Sequence, residues 1–278
     1  MQSKKKVVSA LLLATATALT TPQASAADQT ENAVIAAANR AAAAAKQPPA
    51  SKLATISQSD SNTSQLNIFG DISAHVEGRP YAPGVIANTN GNSVVAQQID
   101  ADNLRLSQVI PSAENDSSFT INFKNAGEIT DLGNSGFVVK DRQGEPVAQA
   151  LNPWARDAAG NRIPTHYEIH GNAVTQVVET SAATEYPVTI DPTFRRWKFI
   201  IPEIYFNHEE TGRARNPAVI EGMIAGACAA FAAATLGTAC AVGAAEAAGI
   251  AAVASNSYGD GKCMVLRAGL VPATVECS

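Results

Sequence analysis

The sequence predicts an α+β fold: an antiparallel β-sandwich-like module, then an Ala/Gly-rich helical hairpin, then a short terminal β-hairpin. Three observations carry that expectation. Ser118 to Phe123 alternates polar and apolar residues with period two, which puts Phe119, Ile121 and Phe123 on one face. His166 to Val178 reads as a β-hairpin, because Gly171 and Asn172 both tolerate the positive φ of a two-residue primed turn; Ile169 then faces Val174. From Pro217 to Ser257 the chain is mostly alanine and glycine, and Glu221 and Glu246 are its only charged residues.

Taken in order, the first segment reads as a signal peptide over residues 1–26. Lys4, Lys5 and Lys6 form its basic start, Val7 to Leu19 its apolar centre, and Ala24-Ser25-Ala26 a small-residue cleavage site. Cleavage there takes the 20 basic residues to 17 against 25 acidic ones, a net charge of −8. Such a chain lacks the basic face that a nucleic-acid partner requires. Export also favours disulfides over thiols for Cys228, Cys240, Cys263 and Cys277. The predicted location is secreted or attached to the cell envelope.

Residues 27–65 are expected to form an Ala-rich helix and a flexible linker. Asp28 to Lys46 has high helix propensity but few large apolar residues, so it is marginal alone. Gln47-Pro48-Pro49 stops it, and Ser51 to Gln65 is rich in Ser, Thr, Gln and Asn. Residues 66–194 form the expected β-rich module, with turn chemistry at Asn90-Gly91 and Asp141 to Gly144. Residues 27–194 carry 10 basic and 18 acidic side chains, and residues 195–278 carry 7 of each. That shift sets a predicted boundary at Phe194.

Pro153-Trp154-Ala155-Arg156-Asp157 with Gly160, then Pro164 to Ile169, then Tyr186-Pro187-Val188 with Asp191-Pro192-Thr193, resemble a recurring β-rich module. It is similar to one in secreted and wall-associated proteins of Gram-positive bacteria, where a "PWA-D-xx-G" run and a "YPVxxDPT" ending precede a variable C-terminal region. The stretch after Phe194 looks like the Ala/Gly-rich, cysteine-containing tails of small uncharacterised exported proteins, through Tyr205-Phe206-Asn207 with Glu210-Thr211 and Gly261-Lys262-Cys263. The resemblance implies an extracellular, non-catalytic module and no active-site residue.

Residues 195–278 are predicted as a strand over Arg195 to Phe206 and a cystine-stapled helical hairpin. Asn216-Pro217 suits a helix start, Gly237 a stop, and Thr238 to about Ser255 a second helix. Met264 to Arg267 and Thr274 to Glu276 then make a hairpin turning at Gly269 to Pro272, across which Cys263 and Cys277 can pair. That leaves Cys228 with Cys240. Twelve residues apart in one straight helix would separate them by about 18 Å, so the pair needs a break near Gly237. Bridges from each helix to the terminal hairpin are the alternative.

Gly222 and Gly226 form a small-xxx-small pattern that suits close helix contact, and Phe231 adds an apolar anchor. Transfer of the first helix into lipid is favourable by roughly 2 kcal/mol, whereas Glu246 costs the second about 3 kcal/mol. Glu246 is expected on one stripe with Val242, Ile250 and Val253, either paired in a folded unit or active in a membrane. His166, Glu168 and His170 share one strand face and are the candidate metal ligands. His208-Glu209-Glu210 favours a helix N-terminus electrostatically.

No Gly-x-Ser-x-Gly elbow or phosphate-cradling glycine loop occurs. The expectation is therefore a non-enzymatic extracellular or envelope interaction protein with no cofactor, whose partner is another extracellular protein or a membrane. The alternative is a membrane-active, bacteriocin-like or pore-forming protein acting through residues 217–257. A third reading is a metal-dependent hydrolase using His166 and His170.

Overall fold

The computed structural model describes residues 26–197, 203–232, 244–267 and 270–277. The chain runs through α1 (Ala26–Ala44), β1 (Lys52–Leu53), β2 (Ser57–Asp60), β3 (Thr63–Phe69), β4 (Ile72–Glu77), β5 (Arg79–Ala82), β6 (Val85–Ala87), β7 (Ser93–Gln98) and β8 (Asn103–Ile110). Then come β9 (Ser118–Lys124), β10 (Glu128–Asp131), a 3-10 turn (Gly133–Ser135), β11 (Phe137–Lys140), β12 (Pro146–Ala150), β13 (Ala155–Arg156), β14 (Thr165–His170), β15 (Ala173–Val178), β16 (Val188–Ile190) and β17 (Thr193–Arg196). The last elements are β18 (Ile204–Phe206), α2 (His208–Arg213), α3 (Pro217–Ala232), α4 (Ala244–Gly259), β19 (Cys263–Arg267) and β20 (Val271–Val275). The fold is a β-rich α+β architecture with antiparallel pairing. Residues 1–25 of the span expected to be a signal peptide, 1–26, lie outside the described residues.

Two sheets build the β body, which runs from α1 to β17. An 11-stranded sheet has the path β10-β11-β12-β17-β8-β7-β6-β5, with β1 on β7, β16 on β8 and β13 on β16. A 6-stranded sheet runs β14-β15-β9-β4-β3-β2. Phe119, Ile121 and Phe123 of β9 and Val174 of β15 share one core with Leu106, Phe137, Ile190 and Phe194 of the larger sheet. Alternation set this up: β9 buries every second residue, as does β15. The β14–β15 pair has the expected register, Ile169 opposite Val174, and Gly171 takes the positive φ of the turn.

Helix α1 is stable here because a sheet covers it. Ala37 and Ala38 pack on Val95 and Val109, and Ala41, Ala42 and Ala45 pack on Trp154. Alanine lets helix and sheet approach closely, so propensity and burial act together.

Three sequence expectations are corrected. The linker proposed for Ser51 to Gln65 contains β1, β2 and the start of β3. Its polar residues form strands because they occupy the edge and outer face: β2 is exposed throughout, while β3 buries Ser64, Leu66 and Ile68. The boundary at Phe194 falls inside β17, which pairs with both β12 and β8, and Phe194 is completely buried. Charge statistics do not register that ladder. The single strand expected over Arg195 to Phe206 is instead β17 and β18, which belong to different sheets.

The C-terminal unit, from residue 203 onward, has its own core. Ile204 and Phe206 of β18, Ile220 and Ile224 of α3, Ile250 and Ala254 of α4, and Met264 and Leu266 of β19 form a cluster separate from that of the body. Asn216 caps α3 through a hydrogen bond from the Ala218 N–H at 3.0 Å, and Pro217 takes the first position. Helix α4 continues to Gly259, beyond the expected Ser255, because Ser257 is buried and its hydroxyl meets that of Thr274 at 2.7 Å. Cys263 and Cys277 form a disulfide across the foot of the β19–β20 hairpin.

Candidate functional site

The body and the C-terminal unit meet around a cleft of about 480 Å³. The end of α1 and the β7–β8 turn supply Lys46, Asp100 and Asn103; β17 supplies Arg195; the C-terminal unit supplies Glu203, Lys262, Arg267 and Glu276. Its charges are organised as two bridges. Glu203 lies between Arg195, at 2.6 Å, and Arg267, at 3.2 Å, with its side chain only 12% exposed. Glu276 lies between Lys46, at 2.6 Å, and Lys262, at 3.6 Å, in a more open setting. The Lys46 hydrogen bond holds the Glu276 carboxyl below its ordinary value. The Asp102 N–H and the Asn103 amide do the same for Asp100. The Glu203 bridge is the stronger of the two, because water screens it less. Paired cations and carboxylates of this kind hold surfaces together and attract polar ligands; they contain no nucleophile with an adjacent base.

A second cluster is buried beneath α1. Strand β8 is paired along one side by β16 and then by β17, and Asp191-Pro192 forms the join. The Leu106 N–H crosses the join to the Pro192 carbonyl at 2.9 Å. Asp191 is buried, accepts a short hydrogen bond from the Thr193 hydroxyl, and has a second oxygen with no protein donor. Burial therefore pushes its carboxyl up to about 7, against the opposing pull of Thr193 and Arg105. The Arg105 guanidinium is engaged by Gln97 at 3.1 Å and the Pro48 carbonyl at 3.3 Å, and Gln97 reaches Asn39 of α1 at 2.7 Å. Of the residues that carry the resemblance, Trp154, Asp191, Pro192 and Thr193 gather here, Asp157 and Gly160 lie in the adjoining turn, where Asp157 accepts from the Asn161 backbone at 2.7 Å, and Thr165 to Ile169 belong to β14 of the other sheet.

The other sequence candidates fall elsewhere. His166, Glu168 and His170 do share the exposed face of β14. His166 and His170 contact opposite oxygens of Glu168, at 3.5 and 4.0 Å. Four residues of strand span about 13 Å of backbone, and the two imidazoles lie on either side of the Glu168 carboxylate. Among the described residues no group of three or more His, Cys, Asp or Glu side chains is arranged to hold a metal. In the His208 segment, Asn207 and Glu210 form a reciprocal capping box with both bonds at 2.9 Å, and His208 stacks on Tyr258 at 4.4 Å.

Gly222 is exposed, and a side chain built there would meet nothing within 4 Å, so no close helix contact inside the unit requires it. Glu246 lies in the first turn of α4 and is exposed. The buried face of α4 is Ala247, Ile250, Ala251, Ala254 and Ser257; Glu246 is beside that stripe, which corrects its expected place on it. The surroundings of Gly226, the side chains of Cys228 and Phe231, and all of Gly237, Cys240 and Val242 lie outside the described residues.

Sequence reasoning missed Glu203, Gln149, Ser135 and Asp191. Their roles depend on pairings far apart in the chain; the Asp191-Pro192 pair inside a "YPVxxDPT" run was the one local signal. Among the described residues no helix is long and apolar enough to cross a membrane. No family model matches the chain, and neither the curated proteins nor the solved structures contain a match.

Proposed function

We propose that this chain is an exported, non-enzymatic interaction protein in which a sandwich-like β body presents a cystine-closed C-terminal unit. The observation that carries this reading is the burial of most of the unit's described large apolar residues within the unit itself, Val219 and Val271 being exposed. Ile220, Ile224 and Ile250 of a helical hairpin pack against Met264 and Leu266, leaving a covered core rather than an open apolar face. The Cys263–Cys277 disulfide fits an oxidising compartment, and the sequence of residues 1–26 fits export. The partner class that suits the polar cleft is another extracellular protein.

The test is fractionation of the tagged chain in its host, with N-terminal sequencing of the mature form. Recovery from medium or wall, starting at Ala27, is the expected result; an intact cytoplasmic chain overturns it. The membrane-active reading draws on one observation: Val219, Gly222, Ala248, Gly249 and Ala252 of α3 and α4 are apolar or small and exposed, although Glu221 and Glu246 are exposed beside them. Dye release from liposomes at micromolar protein would establish that reading over the first.

A further inference from the structure

The edge of β18 that does not pair with β19 is read by side chains of the β body. Strand β18 gives one edge to β19, opposite Leu266 and Met264. The other edge presents the N–H and C=O of Glu203 and Tyr205, and two body residues satisfy all four groups. The Ser135 hydroxyl accepts from the Tyr205 N–H at 2.9 Å and donates to the Tyr205 carbonyl at 3.2 Å. The Gln149 amide accepts from the Glu203 N–H at 3.1 Å and donates to the Glu203 carbonyl at 2.9 Å. Both side chains are buried, Gln149 to 3% and Ser135 to 7% exposure. They replace a neighbouring strand, recognising backbone two residues apart without regard to side chain. Selectivity comes from Arg195, whose guanidinium meets the Glu203 carboxylate at 2.6 Å.

We propose that Ser135, Gln149 and Arg195 form a strand-reading site on the β body, filled in cis by residues 203–205. In trans it takes an extended peptide carrying an acidic residue at the position of Glu203. The chemistry is that of strand addition: backbone hydrogen bonds supply affinity and one charged pair sets the register. The site is polar, and among the described residues the two units share no apolar cluster, so exchange of its occupant leaves both described cores closed. Tethering keeps the cis strand at an effective concentration on the order of millimolar, which protects the site in the intact protein.

The experiment uses the full chain and a labelled, end-blocked peptide with the sequence of residues 203–207. Lys46→Ala and Glu203→Ala together weaken cis docking and leave the three reading residues intact. Fluorescence anisotropy should show the peptide binding this variant about tenfold more tightly than the wild type, the equivalent of one lost charged hydrogen bond. Adding Gln149→Ala, or the smaller change Ser135→Ala, should abolish binding, with circular dichroism melts checking that each variant is folded. A peptide with glutamine in place of its glutamate should bind about tenfold less well. Lack of binding at several millimolar peptide, or binding that survives both Gln149→Ala and Ser135→Ala, overturns the proposal. So does a dimer in light scattering that disappears with Gln149→Ala, because the occupant would then be the strand of a second copy.

Discussion

The β body buries Trp154, Phe119, Phe137 and Phe194 to 2% exposure or less, whereas Phe206 is the one ring buried to that degree among the described residues of the C-terminal unit, whose core is otherwise aliphatic, with Ile220, Ile224, Met264 and Leu266. In the body, Phe137 meets Phe123, Phe194 and Tyr167 edge-to-face at 5.9, 6.2 and 5.0 Å. Those rings come from both sheets and interlock them. The unit has no comparable lock among its described residues; its small core is closed by a disulfide and fastened to the body through hydrogen bonds and two charge bridges. A core made of large interdigitated side chains resists solvent and salt alike. A junction made of polar pairs responds to both.

The largest effect should follow Phe137→Ala. Removing a fully buried ring from the aromatic cluster is expected to cost about 3–5 kcal/mol and to lower the body's thermal midpoint. A loss below about 1 kcal/mol would show that the sheets do not depend on that cluster. Replacing Cys263 and Cys277 together by serine should cost roughly 3 kcal/mol, because the bridge closes a separation of 14 residues. Hydrogen exchange should then rise in α4 and β20 and remain low in β7 and β8. Equal loss of protection in both regions would erase the distinction between them.

Asp191 sharpens the comparison on the side of the body. Its carboxyl is raised to about 7 in the folded protein from an ordinary 3.8, so the folded state holds the proton more tightly. Its contribution is present in full below about pH 4 and is lost as pH rises toward 7. Chemical denaturation across that window should show body stability falling with pH, and Asp191→Asn should flatten the dependence. A wild-type slope of opposite sign would place the ionised form in the folded state. Glu276, held low by Lys46, acts in the other direction: its support for the junction is present at neutral pH and lost as acid protonates it.

The smallest effect belongs to Glu246→Gln. An exposed carboxylate in the first turn of a helix interacts favourably with its N-terminus, so the change should cost only about 0.3–1 kcal/mol. Liposome association should not change. A marked rise would show that Glu246 holds the hairpin out of lipid and would favour the membrane-active reading.

Patterns with a short period were legible in the sequence. The alternation of β9, the β14–β15 turn, the Asn216-Pro217 helix start and the Cys263–Cys277 pairing all depend on neighbours within a few turns of chain. What escaped depended on distant partners. Ser51 to Gln65 has the composition of a linker, yet β3 supplies β2 with a pairing edge. Phe194 marks a change in charge, yet the hydrogen bonds of β17 continue past it to Arg196. Gln149 and Ser135 are ordinary strand and turn residues until β18 arrives beside them. Glu246 was placed on the apolar stripe because i, i+4 spacing to Ile250 suggested it, but the stripe is centred on Ala247, Ala251 and Ala254.

The double pairing of β8 also has a consequence for the order in which the molecule can be made. Arg105 finds its partner in Thr193, 88 residues later. Closing so long a loop is entropically expensive, and sheets dominated by such distant pairs assemble slowly. A chain emerging from its N-terminus therefore carries β8 with one open side until β17 has appeared. Residues 66–194 expressed alone would lack α1, β1, β2, the first three residues of β3 and the last two of β17, and should give a poorly dispersed amide spectrum. The body becomes complete only when the strand that leads out of it has been laid down, just before the chain supplies the segment that Ser135 and Gln149 are waiting to receive.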